Sequence, residues 1–537
     1  MSTTPRTAAS PVELSDTSHA PYRPAAGGLI TGGLWAERRR VNREVSVPDA
    51  WDKLHQAGNF HNLELAAGRR SGDYVNDLPF LDSDVYKWLE AVAYTLEDPD
   101  LSAAAADRLR DLVDQTVALL EEVQQPDGYL DSYFQVHHPG QRFAALAWGH
   151  ELYCAGHLIQ AAVAFNRIGD ARLLAIAVRF ADLVVDTFGT APGQVDGICG
   201  HPEIESALVE LYRETGRRAY LETAGYFIDR RGHGLLDEGR FGRQYWQDHE
   251  PVRQARSVEG HAVRQLYLLA GVADVHLETG EQALGDAAER LWHEMVATRT
   301  YITGGIGSHH LDEAFGDPYE LPSERSYCET CAAIASVMFS WRMLMITGEA
   351  RYADLVERTL YNGFLAGLSL DGERFIYANP LQVREGHLVT GGDGDFRRVP
   401  WFHCACCPPN VMRTLASLEH YVVLGSDDEI LLHQYIPGSY TVELADGQAR
   451  FTIATSYPSS GKVDVEIVGT PTAAWTLAIR VPQWAGTFSL VVNETTTTCD
   501  AEDGWARVRR VWTEGDRIEL EVALKPRFTR AQSRVDA

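Results

Sequence analysis

The sequence predicts a mainly α protein, an (α/α)6 barrel over residues 26–425, followed by a β-sandwich over residues 426–537. Three observations carry this. Apolar residues recur at helical spacing from about residue 80 to 420, as in Ile204, Leu208, Leu211 and Tyr212 or Val263, Leu266, Tyr267 and Ala270. A turn followed by a helix repeats four times, with Gly169, Gly216, Gly280 and Gly348 at the turns, 47, 64 and 68 residues apart. After about Asp427 the period shortens to two.

Taken in chain order, residues 1–25 are polar, lack an apolar run and read as a flexible leader. Each glycine repeat reads as helix, glycine cap, next helix, which is an αα-hairpin. Such hairpins build either an open solenoid or a closed toroid. The long, irregular insertions between them favour the toroid, whose connecting loops form a pocket at one end. Beyond Asp427, segments such as SYTVELA, ARFTIATSY and KVDVEIVG alternate, separated by turn pairs such as Asp446-Gly447 and Ser460-Gly461. They predict the sandwich.

Hydrophobic residues make up 45% and charged residues 23%, a globular profile. The formal charge is −27, from 48 Lys and Arg against 75 Asp and Glu. That field repels nucleic acid and anionic membranes, so neither is expected as a partner. No run approaches 18 uninterrupted apolar residues and no signal peptide is evident, so a cytoplasmic location is expected.

Five of the eight cysteines fall in two tight clusters, Cys328 with Cys331 and Cys404 with Cys406 and Cys407. Clustered thiols in a large chain point to metal binding or catalysis rather than a disulfide framework. Glu329-x-Cys331 beside Cys406-Cys407 offers one oxygen and three thiolates, a set that suits tetrahedral zinc. Both adjacent cysteines reach one ion only across a sharp turn, which Pro408-Pro409 is expected to impose by excluding helix there. By spacing alone the plainer reading is a structural zinc knuckle.

His150, His201 and His261 each stand near an expected helix start, in successive hairpins. A lone histidine there is usually a cap, but three at equivalent positions suggest a pocket. Trp88, Tyr129 and Trp148 read as core aromatics, Cys328 and Cys404 as buried packing thiols, and Glu320 and Glu324 as rim charges.

The segments SDVYKWLEA, QPDGYLDSYF, WGHELYCAGHLIQAA, YITGGIGS, ERSYCETCA and CACCPPN resemble glycoside hydrolase family 127, from about residue 28 to the chain end. The resemblance implies a catalytic (α/α)6 barrel with β-sandwich domains behind it. Members continue past the equivalent of residue 537, so the sandwich of this chain is expected to be incomplete relative to theirs. The resemblance further implies zinc on Glu329, Cys331, Cys406 and Cys407, with Cys406 also the nucleophile and Glu313 the general acid/base. It adds His150, His201, His261 and Tyr377 as substrate-pocket residues. The implied activity is a retaining exo-glycoside hydrolase that releases β-linked L-arabinofuranose or a related sugar from a small glycoside or oligosaccharide. A homodimer is compatible with it.

Two carboxylates, Glu313 with Glu329, form the competing catalytic pair. A sugar epimerase or lyase on the same toroid, or a carbohydrate-binding protein with a structural zinc, are the rival functions.

Overall fold

A computed structural model describes residues 10–384, 396–501 and 503–535. Residues 1–9 of the expected leader lie outside it. Helix begins earlier than the sequence pattern indicates, with α1 (Gly33–Val41), α2 (Val47–Ala57) and α3 (Asn59–Ala66). There follow α4 (Asp82–Leu96), α5 (Ala103–Val123) and the short α6 (Ser132–Val136). Four hairpins come next: α7 (Glu151–Arg167) with α8 (Arg172–Thr187), α9 (Ile204–Thr215) with α10 (Arg218–Arg230), α11 (Ala262–Thr279) with α12 (Gln282–Thr298), and α13 (Thr330–Thr347) with α14 (Ala350–Thr359). The last helix of the layer is α15 (Cys407–Ala416).

The four repeat glycines sit where the hairpins turn. Gly216, Gly280 and Gly348 cap their helices at φ +70°, +68° and +69°, and Gly169 follows α7 at φ +96°. A Cβ is strained there, so glycine is the residue the turn requires.

Ring closure decides between solenoid and toroid. Helix α4 packs on α7, α7 on α9, α9 on α11, α11 on α13, α13 on α15, and α15 back on α4. These six form the inner ring, and α11 and α13 are buried along nearly their whole length. Helix α13 is apolar and long enough to cross a membrane by composition, yet 83% of it is buried inside the barrel. The outer helices are one-sided. On α5, Leu109, Val113, Thr116, Val117 and Leu120 form a buried stripe at helical spacing, with charged residues opposite.

The strands make two sheets. In chain order they are β1 (Arg23–Pro24), β2 (Gly27–Ile30), β3 (Val423–Gly425), β4 (Glu429–Leu432), β5 (Gly438–Leu444), β6 (Gly447–Thr455), β7 (Lys462–Gly469), β8 (Trp475–Arg480), β9 (Phe488–Val492), β10 (Thr495–Thr497), β11 (Trp505–Arg510) and β12 (Arg517–Val522). One sheet runs β1-β3-β4-β8-β11 and the other β10-β9-β12-β7-β6-β5-β2. The Asp446-Gly447 turn joins β5 to β6 in an antiparallel hairpin, as its sequence predicts.

The leader expectation needs correction from Ser10 onward. Val12 is fully buried and β1 pairs with β3; β2, just beyond the expected leader, pairs with β5. Short polar segments carry little periodic signal, and here sheet-edge hydrogen bonds order them instead of an apolar stripe.

Arg480, at the end of β8 and wholly buried, ties the sandwich to the barrel through Asp354 (2.5 Å) and Glu357 on α14. Removing one partner of a buried ion pair leaves the others uncompensated. Arg480→Ala is therefore expected to cost about 3–5 kcal/mol, read as a lower urea midpoint. An unchanged midpoint would show that the latch contributes nothing.

Candidate active site

The inner helices begin on one side of the ring, and the chemistry-bearing residues stand at those beginnings. His150 is the residue before α7, His261 before α11, Glu329 before α13 and Cys406 before α15, while His201 lies three residues ahead of α9. Helix N-termini present unpaired N–H groups and the positive end of the helix dipole, which favours carboxylates and thiolates. One pocket of ≈ 530 Å³ is lined by these residues together with Glu313, Cys331, Tyr377 and Cys404.

Glu329, Cys331, Cys406 and Cys407 bring their ligand atoms within 4.8 Å of one another. Cys331 and Cys407 sulfurs are 3.4 Å apart and Cys406 and Cys407 sulfurs 3.8 Å apart. Glu329 Oε1 lies 3.4 Å from Cys406 Sγ and 3.6 Å from Cys407 Sγ. With metal–sulfur bonds near 2.3 Å, the edges of a coordination tetrahedron are about 3.5–3.8 Å, so the four groups fit one ion. Glu329 Oε2 is buried without a hydrogen-bond partner among the described residues, as a second oxygen beside a cation would be.

Without a cation the cluster is crowded with acids. Burial, and then the Cys406 charge, push the Glu329 carboxyl well up. Burial likewise raises the Cys406 and Cys407 thiols. Burial opposes ionisation of Cys331 too, but hydrogen bonds from Cys406 and Cys407 outweigh it and hold that thiol at about 6.

Pro408 and Pro409 correct the sequence expectation. They occupy the first turn of α15 and do not exclude helix. The first helical N–H groups have no intrahelical acceptor, so proline loses nothing there, and its φ suits the turn. The thiols of Cys406 and Cys407 thus come together, 3.8 Å apart, at a helix start.

Glu313 is held by strained backbone, at φ +55°, with its carbonyl accepting from Ala262 N–H (3.0 Å). His150, at φ +59°, is also left-handed. Such conformations persist in bulky residues where surrounding contacts over-determine them, commonly at functional sites. His261 Nδ1 accepts the Arg264 N–H (3.4 Å), so Nε2–H donates to Glu313 Oε2 (2.8 Å). Tyr327 donates to Oε1 (2.9 Å). Burial raises the Glu313 carboxyl, but these donors outweigh it and hold the group below its ordinary value. His150 donates Nδ1–H to the Trp148 carbonyl (2.5 Å) and accepts from Arg264 (3.4 Å). Burial, then the Arg264 cation, bring it down to about 3. His201 donates to the Pro202 carbonyl (2.8 Å), leaving Nε2 as acceptor. Burial and Arg264 lower it and His261 as well, so three neutral imidazoles stand in a row at ring separations of 5.8 Å.

Tyr377 Oη lies 3.0 Å from Cys406 Sγ, and its backbone carbonyl accepts from Thr330 N–H (3.0 Å) at the start of α13. Trp88 and Tyr129 are core residues as expected. Trp148 is not. It is 44% exposed on the pocket wall, in the loop before α7. Cys328 is buried, whereas Cys404 is partly exposed on the pocket wall, 3.7 Å from Tyr377 Oη. Glu320 and Glu324 pair with His309 and Arg384 outside the pocket.

Sequence reasoning did not single out Tyr327, Arg264 or Lys87. Lys87 is buried on α4, paired with Asp84 (3.3 Å) and 3.4 Å from the Cys406 carbonyl. Its signal was available: a lysine three residues after Asp84, beside Trp88 and Leu89, in a helix buried along nearly its whole length.

Comparison with known proteins gives the family. Residues 29–420 match the family described as β-L-arabinofuranosidase, GH127 catalytic domain, and residues 429–524 the GH127 middle domain. The chain is 37% identical over 562 residues to a non-reducing end β-L-arabinofuranosidase of Bifidobacterium longum subsp. longum, covering 94% of this chain and 83% of that protein. The crystal structure of a GH127 β-L-arabinofuranosidase from Geobacillus stearothermophilus T6 superposes with a TM-score of 0.89 at 35% identity, covering 95% of this chain and 83% of that one. A second GH127 β-arabinofuranosidase structure gives a TM-score of 0.89 at 34% identity, covering 96% and 83%. The chain belongs to glycoside hydrolase family 127, and it is a glycoside hydrolase.

Proposed function

We propose that the protein is a retaining exo-β-L-arabinofuranosidase, with Cys406 as nucleophile, Glu313 as general acid/base and zinc on Glu329, Cys331, Cys406 and Cys407. One observation carries the reading. Cys406 Sγ and the Glu313 carboxylate line the same pocket, separated by Glu329, which lies 3.4 Å from the sulfur and within 4.8 Å of Glu313. Names of relatives at 37% and 35% identity supply the sugar.

Zinc bound there would hold the Cys406 sulfur as thiolate at neutral pH and lower its basicity, which suits it both to attack and to leave. In the first displacement Glu313 gives its proton to the glycosidic oxygen. The C1–O bond breaks with its electron pair on oxygen, and Cys406 forms a C1–S bond. In the second, Glu313 takes a proton from water, the water oxygen bonds C1, and the C–S pair returns to sulfur. Two inversions give retention. A sugar in the pocket removes water from Glu313, which raises its carboxyl toward the proton it must donate. The neutral histidines and Tyr377 supply partners for sugar hydroxyls. Glu329 is the weaker candidate nucleophile. It is 3% exposed, and its Oε1 lies against two sulfurs, 3.4 and 3.6 Å away.

The test is hydrolysis of p-nitrophenyl β-L-arabinofuranoside, followed by NMR of the first-formed anomer, with metal content measured on the same sample. Expected are one zinc per chain and initial release of the β-anomer. Initial α-anomer would overturn retention. Full zinc without hydrolysis of this or related pentosides would favour a binding protein with a structural ion.

A further inference from the structure

We propose that Trp148 is a stacking platform for the acceptor sugar, an aglycone subsite. The proposal rests on the reading of the chain as an arabinofuranosidase. Seven other tryptophans (Trp35, Trp88, Trp246, Trp341, Trp475, Trp505 and Trp512) are almost wholly buried, whereas Trp148, which lines the pocket, is 44% exposed. An indole left open to water on a pocket wall forgoes the burial that stabilises its fellows, and suits an apolar face that arrives later.

Its placement is built rather than loose. Trp148 meets Trp246 edge-on at 4.6 Å and lies beside Tyr245 at 5.7 Å. The segment carrying it is pinned from both sides. A Cβ on Gly149 would meet Phe134 at 2.9 Å, and one on Gly200 would meet the Ala147 carbonyl at 1.9 Å, so only glycine allows the two loops to touch. The Arg264 guanidinium lies 5.7 Å from Trp148, 5.0 Å from Tyr245 and 4.9 Å from Trp246. Arg264 is 3% exposed, and its Nε and Nη1 have no hydrogen-bond partner among the described residues. Ring faces rather than carboxylates therefore accommodate this cation, and the cation in turn holds the rings together.

The platform stands on the side where the leaving group departs. Tyr245 links Trp148 to His261 (ring separation 5.5 Å), and His261 donates to Glu313, the proton donor to the departing oxygen. Cys406, on the start of α15, belongs to the other flank of the reacting carbon. A pocket of ≈ 530 Å³ exceeds what one pentose ring fills, and lies within the range of roughly 300–1,000 Å³ that takes larger ligands. The ligand class is a second sugar ring whose C–H face packs on the indole.

Wild type, Trp148→Ala and Trp148→Phe are compared on methyl β-L-arabinofuranoside and on a β-linked arabinofuranosyl disaccharide. The readout is the ratio of kcat/KM for the disaccharide to that for the methyl glycoside. Trp148→Ala is expected to lower this ratio about ten-fold, the upper end for one aromatic contact, and Trp148→Phe to keep it within about three-fold. A ratio unchanged in Trp148→Ala overturns the platform, as does an equal fall for both substrates, which marks a structural role. Wild type hydrolysing neither glycoside overturns the proposed function itself.

Discussion

Cys406→Ser is expected to lower kcat by about 10⁴-fold or more, a loss of roughly 5 kcal/mol of transition-state stabilisation. The substitution changes one atom on the pocket side of the cluster and leaves α15 intact. A serine hydroxyl at that position stays protonated near neutral pH, is a poor ligand for a soft ion, and would leave C1 reluctantly. Glu329, Cys331 and Cys407 remain to hold the metal, and zinc is expected at close to one equivalent in the variant. Metal analysis beside the kinetics separates the two roles of this sulfur. Activity lost with zinc retained assigns Cys406 as nucleophile. Zinc lost together with activity keeps the metal role and withdraws the evidence for attack. Activity within ten-fold of wild type, zinc retained, would falsify the thiolate mechanism.

Glu313→Gln is expected to lower turnover of alkyl and sugar glycosides by about 10²–10⁴-fold, with metal content unchanged. The amide oxygen still accepts from His261 and the amide N–H can donate to the Tyr327 hydroxyl in place of accepting from it, so the strained loop keeps both neighbours. What disappears is the transferable proton. A p-nitrophenolate leaving group needs little protonation, so the first displacement on that glycoside survives and the second, which needs a base for water, becomes limiting. Pre-steady-state measurement should therefore show a nitrophenol burst of about one equivalent, and azide, a nucleophile with no proton to remove, should restore turnover. In wild type, activity on unactivated glycosides falls as pH rises through the Glu313 carboxyl's value in the complex, and the variant lacks that limb. Equal losses on activated and unactivated substrates, without a burst, would remove Glu313 from the acid/base role.

Local pattern made much of the architecture legible. The repeat glycines announced the hairpins because a positive φ at a helix end selects glycine whatever surrounds it. The change of period after Asp427 announced the sheets for a similar reason, since strand alternation is local. The donor set of Glu329, Cys331, Cys406 and Cys407 was readable as chemistry, because residue type alone sets ligand softness. Pro408-Pro409 misled, since proline's meaning depends on position: it breaks a helix interior and starts a helix equally well. Trp148 misled because an aromatic in an apolar context reads as core, and its exposure follows from how two loops meet.

By itself, then, the sequence determined the hairpins, the switch from helix to strand, and the presence of a thiol-rich ligand set. Only the tertiary structure decided that α15 closes the ring on α4, that β1 and β2 join the C-terminal sheets, and that Glu313, His261, Tyr327 and Cys406 share one pocket. The physical reason is the range of the interactions. Caps, periods and ligand types act within a few residues, whereas Cys406 meets Glu329 across 77 positions of chain, a contact set by the packing of the whole barrel.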